Sequence, residues 1–287
     1  MTRSAWVGLA IGVAVLAGIY WFMYGPEDPV DILQAPPPPT LETRDVPDPS
    51  QSEPVIQHPL PEAPPEEEAE EEVEDLPELE ASDEVTGKTL RELFGAAPAE
   101  SLLVPKDIVR RFVLTVDSLD RDPPHRLLLH AAALPGLYKV DREELPREEG
   151  GDAESARLPP PEKVTTSDEN LRRYAPLMAM VEAADIDKLA AAYRRYYPLM
   201  QDSYDQLGNP RSRYFNDRFI QIIDHLLATP EIEGPLELVR PKVIYKFADP
   251  DLEERSSGQK MMLRIGVDNA RKVKAKLRQL RSRLTRR

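Results

Sequence analysis

Nineteen consecutive residues near the amino terminus, Trp6 to Tyr24 (WVGLAIGVAVLAGIYWFMY), carry no charge. At 1.5 Å of rise per residue they would form a helix of about 28 Å, close to the roughly 30 Å of hydrocarbon in a bilayer. A cleaved signal peptide has a shorter apolar stretch and ends at a small-residue cleavage site. This run ends instead on Tyr20, Trp21, Phe22 and Tyr24, the aromatic belt of a membrane interface. The expectation is an uncleaved single-pass transmembrane helix over 6–24, preceded by residues 1–5. Arg3 lies before the span, and Glu27, Asp28 and Asp31 follow it. Positive charge stays in the cytoplasm, so the N-terminus is expected inside and the bulk of the chain outside. Gly8 and Gly12 form a GxxxG ridge continued by Ala10, Ala14 and Gly18, which would admit a homodimer. Gly and Ala are also ordinary in membrane spans. The span holds no ionisable residue, which argues against energy coupling through it.

After the span the composition changes abruptly. Residues 25–84 hold fourteen prolines and 20 Asp or Glu against a single Arg44, a local charge of −19. The whole chain carries −14, so everything outside this stretch is net basic. Low hydrophobicity with like charge prevents collapse, and proline favours extended polyproline II. Residues 25–84 are therefore expected to be a disordered acidic tether, with a coil span of about 45 Å and a limit of about 190 Å. Its simplest use is as a spacer. A proline-rich docking strip is the sharper alternative, but PxxP matches are cheap in such a composition.

The folded part is expected over 85–287, mainly helical with at most a small β element. Leu90, Leu93 and Phe94 mark a short helix. Pro105 suits a helix start, and Ile108, Val109, Phe112, Val113 and Val116 continue a stripe to about Leu119. Leu137–Val140 and Lys163–Thr166 read as a strand pair around a polar insertion, 141–162. Thr166 with Glu169 resembles a capping box, and Pro176 should kink the helix that follows. Asp185 or Asp187 opens the next helix, which carries Leu189, Tyr193, Tyr196, Met200, Tyr204 and Leu207 on one face. Such a stripe is either core with hydroxyls at its rim or a sugar- or peptide-binding groove. Phe215, Phe219, Ile222, Ile223 and Leu226 define another helix, with Tyr214, Arg218, Gln221 and His225 on its far side. Pro241 confines any strand within 236–247 to a sheet edge. Helices over about 250–265 and 268–284 close the chain, the last with Asp268 as its cap.

From Arg255 to Arg287 there are 12 Lys or Arg and one acid. Val273, Leu277, Leu280 and Leu284 share a face, and Arg271, Lys272, Lys274, Lys276, Arg278 and Arg281 cover the rest. Those six residues are the candidate site: a surface for an anionic envelope component or an acidic partner. Set against this are a docked helix with a solvated basic back, and a basic helix that folds onto the chain's own acidic tether. Nucleic acid fits the charge but not the expected compartment.

No motif calls for catalysis or a cofactor. The absence of cysteine excludes disulfides, thiol nucleophiles and thiolate metal sites. Gly87-Lys88-Thr89 ends like a phosphate loop, but Ser82 stands where its first glycine should be. Ser257-Gly258-Gln259-Lys260 matches the Ser-x-x-Lys of penicillin-binding enzymes without the accompanying Lys-Thr-Gly or Ser-Asp-Asn. The four histidines lack metal-ligand spacing. Asp217 and Asp224 share a helical face and read as solvated acids.

Three stretches, 104–119 (VPKDIVRRFVLTVDSL), 214–253 (YFNDRFIQIIDHLLATPEIEGPLELVRPKVIYKFADPDLE) and 256–281 (SSGQKMMLRIGVDNARKVKAKLRQLR), resemble the uncharacterised bacterial family called domain of unknown function 3014. The resemblance spans most of 85–285. It implies a bacterial, Gram-negative source, so that "outside" would be the periplasm, and it carries over no catalytic or binding residue. The functional expectation is an inner-membrane-anchored periplasmic interaction module that binds an envelope protein or an anionic envelope surface. The alternative is an envelope-polymer hydrolase without a recognisable motif.

Overall fold

The computed structural model describes residues 56–60, 76–95, 105–122, 138–146, 161–208, 214–241 and 244–285. The expected membrane span and most of the expected tether lie outside them. Among the described residues, no helix is long and apolar enough to cross a membrane.

These residues build a mainly helical domain with one small sheet. After a short 3-10 turn, Leu79–Ala81, come α1 (Asp83–Phe94) and α2 (Ile108–Ser118). The Asp83 carboxylate accepts the amides of Asp107 and Ile108, both at 2.8 Å, so a residue of α1 satisfies the open N-terminus of α2. Strands β1 (Val140–Glu144) and β2 (Glu162–Thr166) pair antiparallel, with Val140 opposite Thr166. The polar insertion is thus partly a hairpin.

Helices α3 (Asp168–Arg173) and α4 (Ala175–Ala183) follow. Ser167, not Thr166, is the cap: its side chain accepts from the Asn170 amide, while Thr166 Oγ1 accepts from Leu236 N across the sheet. Pro176 does not kink one helix but sits in the first turn of a second, where its missing N–H costs nothing. Asp185 caps α5 (Ile186–Asp205), and α6 spans Phe215–Leu227. Strands β3 (Glu237–Val239) and β4 (Lys246–Phe247) complete a sheet of order β1-β2-β3-β4. Pro241 falls in the turn after β3; β3 is paired on both sides, against the expectation, while β4 is the edge strand. The last expected pair of helices is three: α7 (Pro250–Glu253), α8 (Ser257–Arg264) and α9 (Val267–Leu284). Ser256 caps α8. The N-cap of α9 is Gly266 at φ +84°, which leaves Asp268 in the first turn instead of at the cap.

The main core lies where α2, α4, α5, α6, α8 and α9 converge. Phe112 meets Phe215 and Phe219 edge-on, both at 5.7 Å between ring centroids, and Tyr193 stacks on Phe219 at 5.2 Å. Tyr193, Tyr196 and Tyr204 are fully buried. Their stripe is core, not a groove, and the Tyr193 and Tyr196 hydroxyls are used internally, on Asn216 and Thr89. A second, smaller core of Leu238, Phe247, Leu252 and Leu263 lies under the sheet. Helix α8 joins the two, with Met261 and Met262 in the first and Leu263 in the second.

Two pieces of the expected tether belong to this body. Leu79 is buried in the main core, and Leu76 and Leu60 pack against it.

Candidate functional site

The far side of α6 meets the turn that ends α2 and the first turn of α8. Arg218 is 2% exposed, yet all its donors are engaged. Nε bonds Asp117 Oδ1 at 2.8 Å, and Nη2 bonds the Asp117 carbonyl at 2.7 Å and Asp120 Oδ1 at 2.8 Å. Nη1 reaches Asp120 Oδ2 at 3.0 Å and Gln221 at 3.2 Å. Burial would lower its pKa, but the hydrogen bonds it donates to Asp120 and Asp117 hold it above the ordinary arginine value. Asp117 also pairs with Arg121.

On α8, Lys260 is equally buried, and its Nζ bonds Asp122 at 2.5 Å and the Glu253 carbonyl at 3.0 Å. An ammonium so committed is no base for Ser257. The buried Ser257 Oγ has no hydrogen-bond partner among the described residues. The amides of Ser257 and Gly258 donate to the carbonyls of Arg121 and Leu119, both at 2.9 Å. Backbone contact this close leaves no cleft at the Ser-x-x-Lys motif.

His225 Nε2 lies 2.7 Å from Ser256 Oγ, the spacing of a nucleophile–base pair. Ser256 Oγ, however, is the cap of α8 and accepts from the Gln259 amide. Burial depresses the His225 pKa against the opposing pull of Asp120. This constellation locks three segments together. Among the described residues, no group of three or more His, Asp or Glu could hold a metal.

The six basic residues of α9 are mostly consumed within the domain. Lys274 is buried, not presented: its Nζ donates to the Thr229 carbonyl at 2.6 Å and to Glu231 at 3.0 Å. Lys276 Nζ bonds the carbonyls of Glu182 and Ala184, where α4 ends and its own carbonyls lack partners. Arg271 bridges Glu231 and Glu233, Lys272 pairs with Glu182, and Arg281 takes both oxygens of Asp224 at 2.6 and 2.9 Å. Arg278 is exposed and has no partner among the described residues. The Asp224 carboxylate is thus one half of an ion pair on the exposed side of α6.

Asp217, by contrast, is not solvated. It sits in the first turn of α6, 7% exposed, and its two oxygens accept the successive main-chain amides of His58, at 2.6 Å, and Gln57, at 3.2 Å. Beside it, Asn216 donates from Nδ2 to the His58 carbonyl at 2.8 Å and to the Leu284 carbonyl at 3.3 Å, while Oδ1 accepts from Tyr193. The segment 56–60 therefore bends onto the start of α6 and the end of α9, with Leu60 against the core. Two consecutive amides on one anion make the nest geometry, which reads main chain and not side chains. Nothing local in the sequence announces it, because the partners are separated by about 160 positions.

A family model described as a protein of unknown function, DUF3014, matches residues 108–281. The chain belongs to the DUF3014 family. No curated protein and no solved structure matches it. The DUF3014 region contains the polar lock, the six basic residues of α9 and both receptor residues of the clasp, Asn216 and Asp217. The clasped segment 56–60 lies outside that region.

Proposed function

We propose that this DUF3014 chain is a membrane-tethered binding module of the bacterial envelope. It is anchored in the inner membrane by Trp6–Tyr24, with its N-terminus cytoplasmic and its domain in the periplasm, and it engages another envelope protein. The observation behind the binding role is the clasp at Asn216 and Asp217, where the domain holds a polypeptide by its main chain. The polar lock argues in the same direction, because its charges are spent on one another. Arg3 before the span and Glu27, Asp28 and Asp31 after it support the anchored layout.

Since the chain has no cysteine, single substitutions give a clean test of topology. In intact cells with a permeabilised outer membrane, a membrane-impermeant maleimide should label Ser50→Cys and spare Ser4→Cys; the reverse pattern refutes the arrangement. Crosslinking of tagged full-length protein in living cells should then capture one reproducible envelope protein. Self-crosslinks alone, or none, would refute the binding role and turn attention to hydrolase assays.

A further inference from the structure

We propose that Gln57–Leu60 is a cis-acting latch, the resident ligand of a main-chain-reading site formed by Asn216 and Asp217, and that its release lengthens the reach of the domain from its anchor. The inference rests on the anchored layout proposed above only for its consequence; the clasp itself is independent of it.

The recognition chemistry is specific to a bent main chain. Asp217 supplies two acceptors to two successive amides, and Asn216 supplies a donor to the carbonyl that follows them. The next residue, Pro59, has no N–H, so the chain leaves the site with no further donor to satisfy. Leu60 then adds an apolar contact with the main core. Asn216 is held for this task, since its carbonyl oxygen is bonded to the Tyr193 hydroxyl and its amide also spans to the end of α9. The site is preorganised by the core, while its ligand is tied by few groups. Ile56, Gln57 and Pro59 are exposed and His58 and Leu60 only partly covered, the profile of a segment that opens at low cost.

The geometric consequence follows from where the latch falls. With it closed, the chain that can separate membrane from domain is residues 25–55, at most about 96 Å at roughly 3.1 Å per residue. With it open, the next described residue packed on the core is Leu76, and the contour limit up to it is about 160 Å. One carboxylate thus controls about 60 Å of maximum reach.

The test uses full-length protein in detergent, with spin labels at Ile56→Cys and Ser282→Cys, two exposed positions on either side of the clasp. Pulsed dipolar spectroscopy should give one narrow distance distribution. Asp217→Ala should broaden it and move it to longer distances. Leu60→Asp should do the same while leaving every receptor residue intact, which covers the case of an Asp217 variant that fails to fold. A distribution unchanged in folded Asp217→Ala and Leu60→Asp overturns the latch. So does a distance that vanishes when labelled protein is diluted with excess unlabelled protein, because the occupant is then a second copy. None of these readouts depends on membrane topology, so failure of the latch and failure of the anchored layout are told apart.

Discussion

Gly258 poses a question of sign. It is the second residue of α8, and replacing a helical glycine by alanine ordinarily stabilises a protein by about 1 kcal/mol. Here a Cβ would lie 2.7 Å from the Leu119 carbonyl oxygen and 2.8 Å from Leu226 Cδ2. The leucine can rotate. The carbonyl cannot, because it already accepts the Gly258 amide at 2.9 Å. Relieving an overlap of about 0.7 Å would stretch that bond, and the adjacent Ser257–Arg121 bond, beyond the hydrogen-bonding range. Two hydrogen bonds at about 1 kcal/mol each, with about 1–3 kcal/mol of overpacking strain, outweigh the propensity gain. The expected net loss is about 2–4 kcal/mol, or roughly 5–15 °C in Tm for a domain of this size. Gly87→Ala is the control. In α1 the new Cβ would meet only Ile108 Cδ1, at an ordinary 3.6 Å, so stability should rise by up to about 1 kcal/mol. Thermal unfolding of both variants, followed by circular dichroism at 222 nm, reads the two signs. Stabilisation of the Gly258→Ala protein to the same extent as the control would refute the close docking of α8 on the turn after α2.

Removal of Arg218 strands Asp117 and Asp120 beside a buried gap, so Arg218→Ala should cost about 3–5 kcal/mol in urea unfolding. Arg218→Lys should recover little of it, since one ammonium cannot replace a fork that serves two carboxylates. Along α9, Lys272→Glu should change stability by less than about 1 kcal/mol, because Lys272 and Glu182 form an exposed pair. Lys274→Glu should cost about 3–5 kcal/mol by burying a carboxylate against Glu231 and the Thr229 carbonyl; equal effects at the two positions would overturn the assignment of inside and outside. For His225, whose folded pKa is depressed by burial, the neutral ring is the folded form. Stability from this group should be complete above about pH 6.5 and lost as pH falls through the lower folded value. His225→Gln should flatten the decline in urea midpoint as pH falls below about 6.5, and an unchanged slope would count against the burial.

The helices were legible because each has an apolar face of helical period: Ile108 to Val116, Leu189 to Tyr204 and Phe215 to Leu226 all appear as read. The choice between core and groove for the tyrosine stripe was settled by burial, which no periodicity contains. Boundaries went astray where two local signals competed. Ser167 displaced Thr166 as a cap because the Thr166 hydroxyl is used across the sheet, and Pro176 began a helix where a kink was expected. The basic helix is legible, but of its six candidate residues only Lys274 is buried, and the pairing of its charges cannot be read. Their partners at Glu182, Asp187, Asp224 and Glu231 come from other elements, and pairing across elements leaves no trace in spacing. Asp217 reads as a solvated acid for the same reason, although it is buried against residues 57 and 58. A charge-reversal experiment on Lys272, Lys274 and Lys276 together, natural from sequence alone, would therefore disturb the fold before it tested any anion surface; Arg278 is the residue to reverse.

Helix α9 also sets the order in which the molecule can be completed. It supplies Val273, Leu277, Leu280 and Leu284 to the main core, ends α4 through Lys276, and ties down α5 and α6 through Arg283 and Arg281. Apart from the adjacent α8, the helices it packs on, α4, α5 and α6, precede it by tens of residues. A nascent chain that has emerged only as far as Gly266 holds α4, α5 and α6 with their inner faces uncovered. Folding of this domain is accordingly a late event, gated by the arrival of its final helix, and the growing polypeptide must be kept from association until that helix is in place.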